Sequence, residues 1–149
     1  MKKINLLTAM LIISLASVAQ PFIGLEAGSK GAGVNIGIVG NNLEFKVAYN
    51  RSLYKASTPA LTYAHIGYQI NLTGNETDNL SLTPAIGYAY RSYEDFTQWN
   101  QGGEIIKVTE FKPKYSLELG KDKHIGRVYI SANYAGYVFY NIGIRAYFK

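Results

Sequence analysis

The feature that most limits this chain is an alternation of period two that returns eight times between residue 22 and the C-terminus. An extended backbone sends successive side chains to opposite faces, so such a pattern sorts its residues into two surfaces. Residues 22–28 set Ile23, Leu25 and Ala27 against Phe22, Gly24, Glu26 and Gly28, and residues 33–39 set Val34, Ile36 and Ile38 against Gly33, Asn35 and Gly37. Residues 43–50 are the clearest case, with Glu44, Lys46 and Asn50 on one side. In residues 63–70, Ala64, Ile66, Tyr68 and Ile70 oppose Tyr63, His65, Gly67 and Gln69. Segments 80–91, 111–119, 127–134 and 140–148 repeat the arrangement, with Ile86, Leu117, Ile130 and Ile144 on one face and Gly87, Glu118, Ser131 and Arg145 on the other.

The joints between segments are also ordered. Gly40-Asn41-Asn42, residues 73–79 and Gly120-Lys121-Asp122-Lys123 are polar turn formers and would lie at one end of a meander. The opposite end would carry residues 29–31, the longer loops 51–59 and 92–104, and a tight bend at Ala135-Gly136. Short turns at one end with longer loops at the other suit a bacterial membrane barrel. After the first residues no stretch approaches the ~20 apolar residues that a helical span needs.

The chemistry of the two faces decides which one is inside. One is aliphatic and tyrosine-rich and nearly free of charge. The other mixes Gly, Ala, Ser and Asn with Glu26, Glu44, Lys46, Arg91, Lys112, Lys114, Glu118, Arg127 and Arg145. Glycine weakens a strand unless something must approach closely, as in a crowded interior. Eight closed strands leave a lumen that side chains can fill. Tyr49, Tyr90, Phe111, Tyr134 and Tyr140 fall near the long-loop end, and Tyr68 and Phe148 near the other, as two aromatic girdles would. Closure also removes the exposed edges that so much β-prone sequence would otherwise present. The reading is all-β, an eight-stranded antiparallel up-and-down transmembrane β-barrel, with glycines and charges inward. A soluble secreted ligand-binding barrel with its apolar face inward is the alternative.

The N-terminus fits an exported chain. Met1-Lys2-Lys3, an uncharged run from Leu6 to Leu15 and Ala16-Ser17-Val18-Ala19 form a basic start, an apolar core and a small-x-small end. Residues 1–19 are therefore expected to be a cleavable signal, and residues 20–149 the barrel. The formal charge of +5 drops to +3 without Lys2 and Lys3, which gives no case for a nucleic-acid partner. No cysteine is present, which excludes a lipoprotein anchor and a disulfide scaffold.

Together, the signal, the eight segments and the ending resemble the small eight-stranded outer-membrane proteins of the OmpX and OmpA-transmembrane-domain type. The resemblance spans the mature chain. It implies the outer membrane of a Gram-negative bacterium, contact with its lipid, and a monomer. It also implies recognition of the last strand, here Tyr140, Ile142, Ile144, Ala146 and Phe148, by the barrel-assembly machinery. Lys149 departs from that family's aromatic end, and with Gln20-Pro21 it is similar to outer-membrane proteins of Bacteroidetes. No peptidoglycan-binding module is expected after the eighth segment.

Some small barrels modify lipid A, so an enzyme is the other alternative. The residues argue against it. His65 is followed two positions on by Gly67 where a lipase-like barrel needs Ser, and His124 falls in a turn at the short end. Ser92 and Asp95 share the long loop with no histidine. No His, Asp and Glu cluster has metal-ligand spacing. Neither a cofactor, a metal nor a catalytic residue is expected. The candidate interior network is Glu44, Lys46, Arg91, Glu118, Arg127 and Arg145, read as a salt-bridged plug rather than an ion path. Any extracellular partner would meet loops 51–59 and 92–104, with Tyr93, Phe96 and Trp99 as the candidate contacts.

Overall fold

The computed structural model describes residues 19–51, 60–73, 78–95, 106–123 and 125–148. Of the expected export segment only Ala19 falls among them. The strands are β1 (Gln20–Gly28), β2 (Gly31–Gly40), β3 (Leu43–Arg51), β4 (Ala60–Tyr68), β5 (Ile70–Asn71), β6 (Asp78–Asp95), β7 (Ile106–Lys123), β8 (Gly126–Tyr134) and β9 (Val138–Tyr147). Each pairs antiparallel with its sequence neighbour, except that β4 and β5 both pair with β6; β1 pairs with β9, which closes the sheet. β4 and β5 make one stave, giving eight in all. Their register against β6 is continuous, from Gly67 opposite Ala85 to Ile70 opposite Leu82. The break falls where Pro84, which has no N–H to donate, comes opposite Tyr68. The Gln69 amide turns away and donates to the Asn42 carbonyl at 2.7 Å.

The barrel is inside out relative to a soluble protein. Ile86 is 68% exposed and Leu25, Ile36, Ile130 and Ile144 are more than half exposed, whereas Glu44, Lys46, Lys114, Arg127 and Arg145 are buried. Burial of apolar surface from water cannot hold such a sheet together. Where all eight staves pair, the closed ladder leaves no strand edge unpaired, which makes an apolar exterior tolerable in hydrocarbon.

Five glycines on the inner face follow one rule. A large inner side chain lies across the glycine that is its register partner on the next strand. Phe22 lies over Gly37, Asn35 over Gly24, Asn50 over Gly33, Asn141 over Gly28 and Tyr129 over Gly143. A Cβ on Gly143 would come within 2.4 Å of the Tyr129 ring, and one on Gly37 within 2.4 Å of Phe22.

Two strands run further than the sequence suggests. Residues 92–104, expected as a loop, begin as strand, because Ser92 to Asp95 pair one for one with Thr109 to Ile106. Gly120 to Lys123, expected as a turn, belong to β7. A ladder supplies main-chain hydrogen bonds whatever the side chains prefer, and here the charges also pair, Lys121 with Asp78 at 3.1 Å and Asp122 with Arg127 at 2.8 Å. The tight bend lies at Ala135–Tyr137, with Gly136 at φ 80°, a conformation that favours glycine. Loop residues 52–59 and 96–105 lie outside the described residues, as do Phe96 and Trp99; the Tyr93 backbone is strand, opposite Val108.

Candidate functional site

The interior holds three tiers, named here from the end bearing Gln20 and Tyr147. The first is ionic. Glu118 accepts from Arg127 Nε through Oε1 at 3.1 Å, and through Oε2 from both Lys46 Nζ at 3.3 Å and Arg145 Nη2. Arg145 Nη1 donates to Glu44 at 2.7 Å, with its guanidinium between the rings of Phe22 and Tyr129. Arg127 also donates to Ser81 at 2.7 Å, Asp122 at 2.8 Å and Thr83 at 3.2 Å. Five of the six charged residues singled out from the sequence thus meet in one network. They come from β3, β7, β8 and β9, whose tilt in a closed barrel brings distant registers to one level. Arg91 is set apart, near the opposite end of β6, over the ring of Tyr137.

The second tier centres on Glu26, on which five neutral side chains converge. Asn50 donates at 2.6 Å, Tyr129 at 2.7 Å, Asn141 at 3.3 Å and Asn35 at 3.4 Å, and the Tyr63 hydroxyl donates as well. Lys46 Nζ lies 3.7 Å from the same carboxylate, and so links the two tiers. Sequence reasoning put Glu26 on the inner face but missed it as a hub. Its partners lie up to 115 residues away, and parity alone says nothing of such pairings.

Beside that hub, Lys114 Nζ lies 2.9 Å from His65 Nδ1 and 4.3 Å from the centre of the Tyr63 ring. Lysine can only donate, so Nδ1 is the acceptor and the imidazole proton sits on Nε2, which faces Glu44 at 3.4 Å. With His65 neutral, Glu26, Glu44, Glu118 and Asp122 balance Lys46, Lys114, Arg127 and Arg145. Charges withdrawn from water persist when paired and hydrogen-bonded in this way. Both nitrogens of His65 are engaged, and neither meets a hydroxyl that it would activate. Among the described residues no group of three His, Cys, Asp or Glu could hold a metal ion.

The third tier is apolar and was not foreseen. Ala48, Leu61, Tyr63, Ala89, Ala135 and Phe139 pack together under Tyr137. Leu61, Ala135 and Phe139 stand at the ends of their segments, where an alternation count has little purchase.

An apolar outer belt around a charge-balanced, capped interior defines a transmembrane β-barrel with a self-filled lumen. Comparison with known proteins agrees on the fold. No family profile matches the chain, and no curated protein matches it in sequence. Among solved structures it is similar to the N-terminal β-barrel domain of Pseudomonas aeruginosa OprF, at 11% identity and a TM-score of 0.56, over 87% of this chain and 96% of that one. Neisserial surface protein A (NspA) follows at 16% identity and 0.54, over 87% and 96%. Ail, the attachment invasion locus protein of Yersinia pestis, matches at 14% and 0.50, over 87% and 97%.

Proposed function

We propose that this chain is a small outer-membrane barrel of a Gram-negative bacterium, with a structural or surface-interaction role and no conducting pore. The observation that carries the reading is the balanced plug: Glu26, Glu44, Glu118 and Asp122 pair with Lys46, Arg127 and Arg145, while Lys114 bonds His65, all beneath an apolar cap. A lumen built to pass ions would keep part of that charge hydrated. In this reading residues 1–19 are a signal removed on export and the end bearing Gln20 and Tyr147 faces the periplasm. The barrel-assembly machinery would engage β9 and Phe148. Gln20-Pro21 and Lys149 favour an origin in Bacteroidetes.

The β6–β7 hairpin supports a surface role. β8 pairs with β7 only from Tyr115 onward, so Ile106 to Lys114 pair with β6 alone. This hairpin and loop 51–59 would carry any contact with an extracellular partner, Tyr93, Phe96 and Trp99 included.

Fractionation of cells expressing the full chain tests the placement. The mature protein should enter the outer-membrane fraction, need detergent for release, and migrate differently on a gel before and after boiling. In planar bilayers it should add no steady conductance. A protein that stays soluble and monomeric without detergent would overturn the reading.

A further inference from the structure

We propose that the outer wall of β7, β8 and β9 holds one anionic phospholipid of the leaflet around the termini end. Its phosphate would sit on Lys121 and Lys123, and one acyl chain would lie along β8. Such a site presupposes the membrane placement proposed above and names a particular occupant for one part of the lipid-facing wall.

The parity that sends Leu117 and Leu119 outward on β7 sends Lys121 and Lys123 outward as well, and both lysines are exposed. At the same rim the outer-face residues Pro21, Leu43, Tyr68 and Phe148 of other staves carry no charge. Among the described residues the acid beside the lysines is Asp78 on β6. It is the register partner of Lys123 and lies 3.1 Å from Lys121. Both members of that pair are half-exposed, so a phosphate can share Lys121 with it. On the other side of Lys123 its register row continues through Gly126 on β8 to Ala146 on β9. The wall beside that lysine is therefore low. A lysine at such a rim lays its stem on apolar surface and keeps its ammonium group at headgroup level.

An apolar furrow leads away from this rim along β8. The part next to the lysines, about 600 Å³, is lined by Leu119, Val128, Ile130 and Ile144. The part beyond, about 690 Å³, is lined by Leu117, Ala132 and Tyr140, and shares Leu119 and Ile130 with the first. The two parts are thus continuous. At about 3.3 Å per residue, the run from Gly126 to Ala132 is about 20 Å long. Membrane strands tilt by roughly 45°, so the furrow covers about 14 Å of depth, close to the ~15 Å of one leaflet. Cations at the head of a groove one leaflet deep match an anionic headgroup with an apolar tail. A zwitterionic headgroup brings no net charge for the lysines to hold, and a free phosphate would leave the furrow unused.

The test expresses the full chain, extracts the barrel folded in neutral detergent, and titrates it by native mass spectrometry with phosphatidylglycerol or with phosphatidylcholine of the same acyl chains. One phosphatidylglycerol per barrel should be retained, at least about tenfold more tightly than phosphatidylcholine, and added salt should narrow the difference. The Lys121→Ala/Lys123→Ala double variant should bind phosphatidylglycerol only as well as phosphatidylcholine. Ile130→Trp, which fills the furrow, should weaken both lipids at least about fivefold, whereas Ile36→Trp on the opposite wall should bind as the parent does. A mobility shift on boiling shows that each variant is folded. Equal affinity for the two lipids in the parent, or a preference that survives in the double variant, overturns the role of the lysines. Unchanged binding in Ile130→Trp, or competition by glycerol 3-phosphate, which has the charge but no acyl chain, overturns the furrow. Any of these results in a barrel that still enters the outer-membrane fraction sinks the site and leaves the membrane placement standing.

Discussion

Tyr129 donates its hydroxyl to Glu26 at 2.7 Å while its ring lies across Gly143, its register partner on β9. One side chain thus holds the hub of the second tier and fills the space that a glycine leaves. The residues depend on each other: the hydroxyl reaches Glu26 because the ring can lie flat against the β9 backbone. Gly143→Ala should therefore destabilise the barrel by about 1–3 kcal/mol through overpacking. Tyr129→Phe should cost about 1–2 kcal/mol by removing one donor from a buried carboxylate. Denaturant unfolding in detergent measures both, and a Gly143→Ala barrel as stable as its parent would contradict the packing described.

Loss of Glu118 should be the costliest single change in the ionic tier. Lys46, Arg127 and Arg145 all converge on it, so Glu118→Ala leaves buried cations short of their counter-charge. About 3–5 kcal/mol is expected, against under about 0.5 kcal/mol for the exposed Lys121→Ala. Comparable unfolding midpoints for the two variants would show that the network does not hold the barrel. Glu44→Ala should also lower thermal stability in detergent, without raising conductance.

Nitrogen-15 NMR of selectively labelled histidine reads the His65 tautomer directly. Nδ1 should appear as an unprotonated acceptor and Nε2 as protonated, because Lys114 can only donate to the first. The reverse tautomer, or an imidazolium at neutral pH, would be incompatible with the Lys114 contact.

Ile144 sits on the outer face in β9, and a charge there separates lipid from water as the surrounding medium. Ile144→Arg should cost about 2–4 kcal/mol in a bilayer if it lies near the midplane. On a water-exposed surface the same change would stay within about 0.5 kcal/mol. Refolding into lipid vesicles under a urea titration distinguishes the two.

Much of the architecture was legible because strand geometry is local. A period of two assigns each residue to a face without knowledge of its partners, and Gly24, Gly37 and Gly143 among charges mark the inner face as a crowded one. Strand ends were less legible. Polar residues such as Lys121 and Asp122 read as turn formers, yet β6 and β8 hold them in the ladder and pair their charges. Arg91 shares a face with Arg127, and only its height along the barrel separates it from the plug.

The sequence by itself determined the strand class, the number of staves and the direction of each face, because alternation and residue chemistry act within one segment. Which acid meets which base was decided by the closed barrel alone. Stave tilt and register bring Lys46 to Glu118 across 72 positions and Asn141 to Glu26 across 115, and no local pattern carries that information. The apolar cap under Tyr137 has the same origin: Leu61, Ala89 and Phe139 become a cluster only when closure places their staves around one axis.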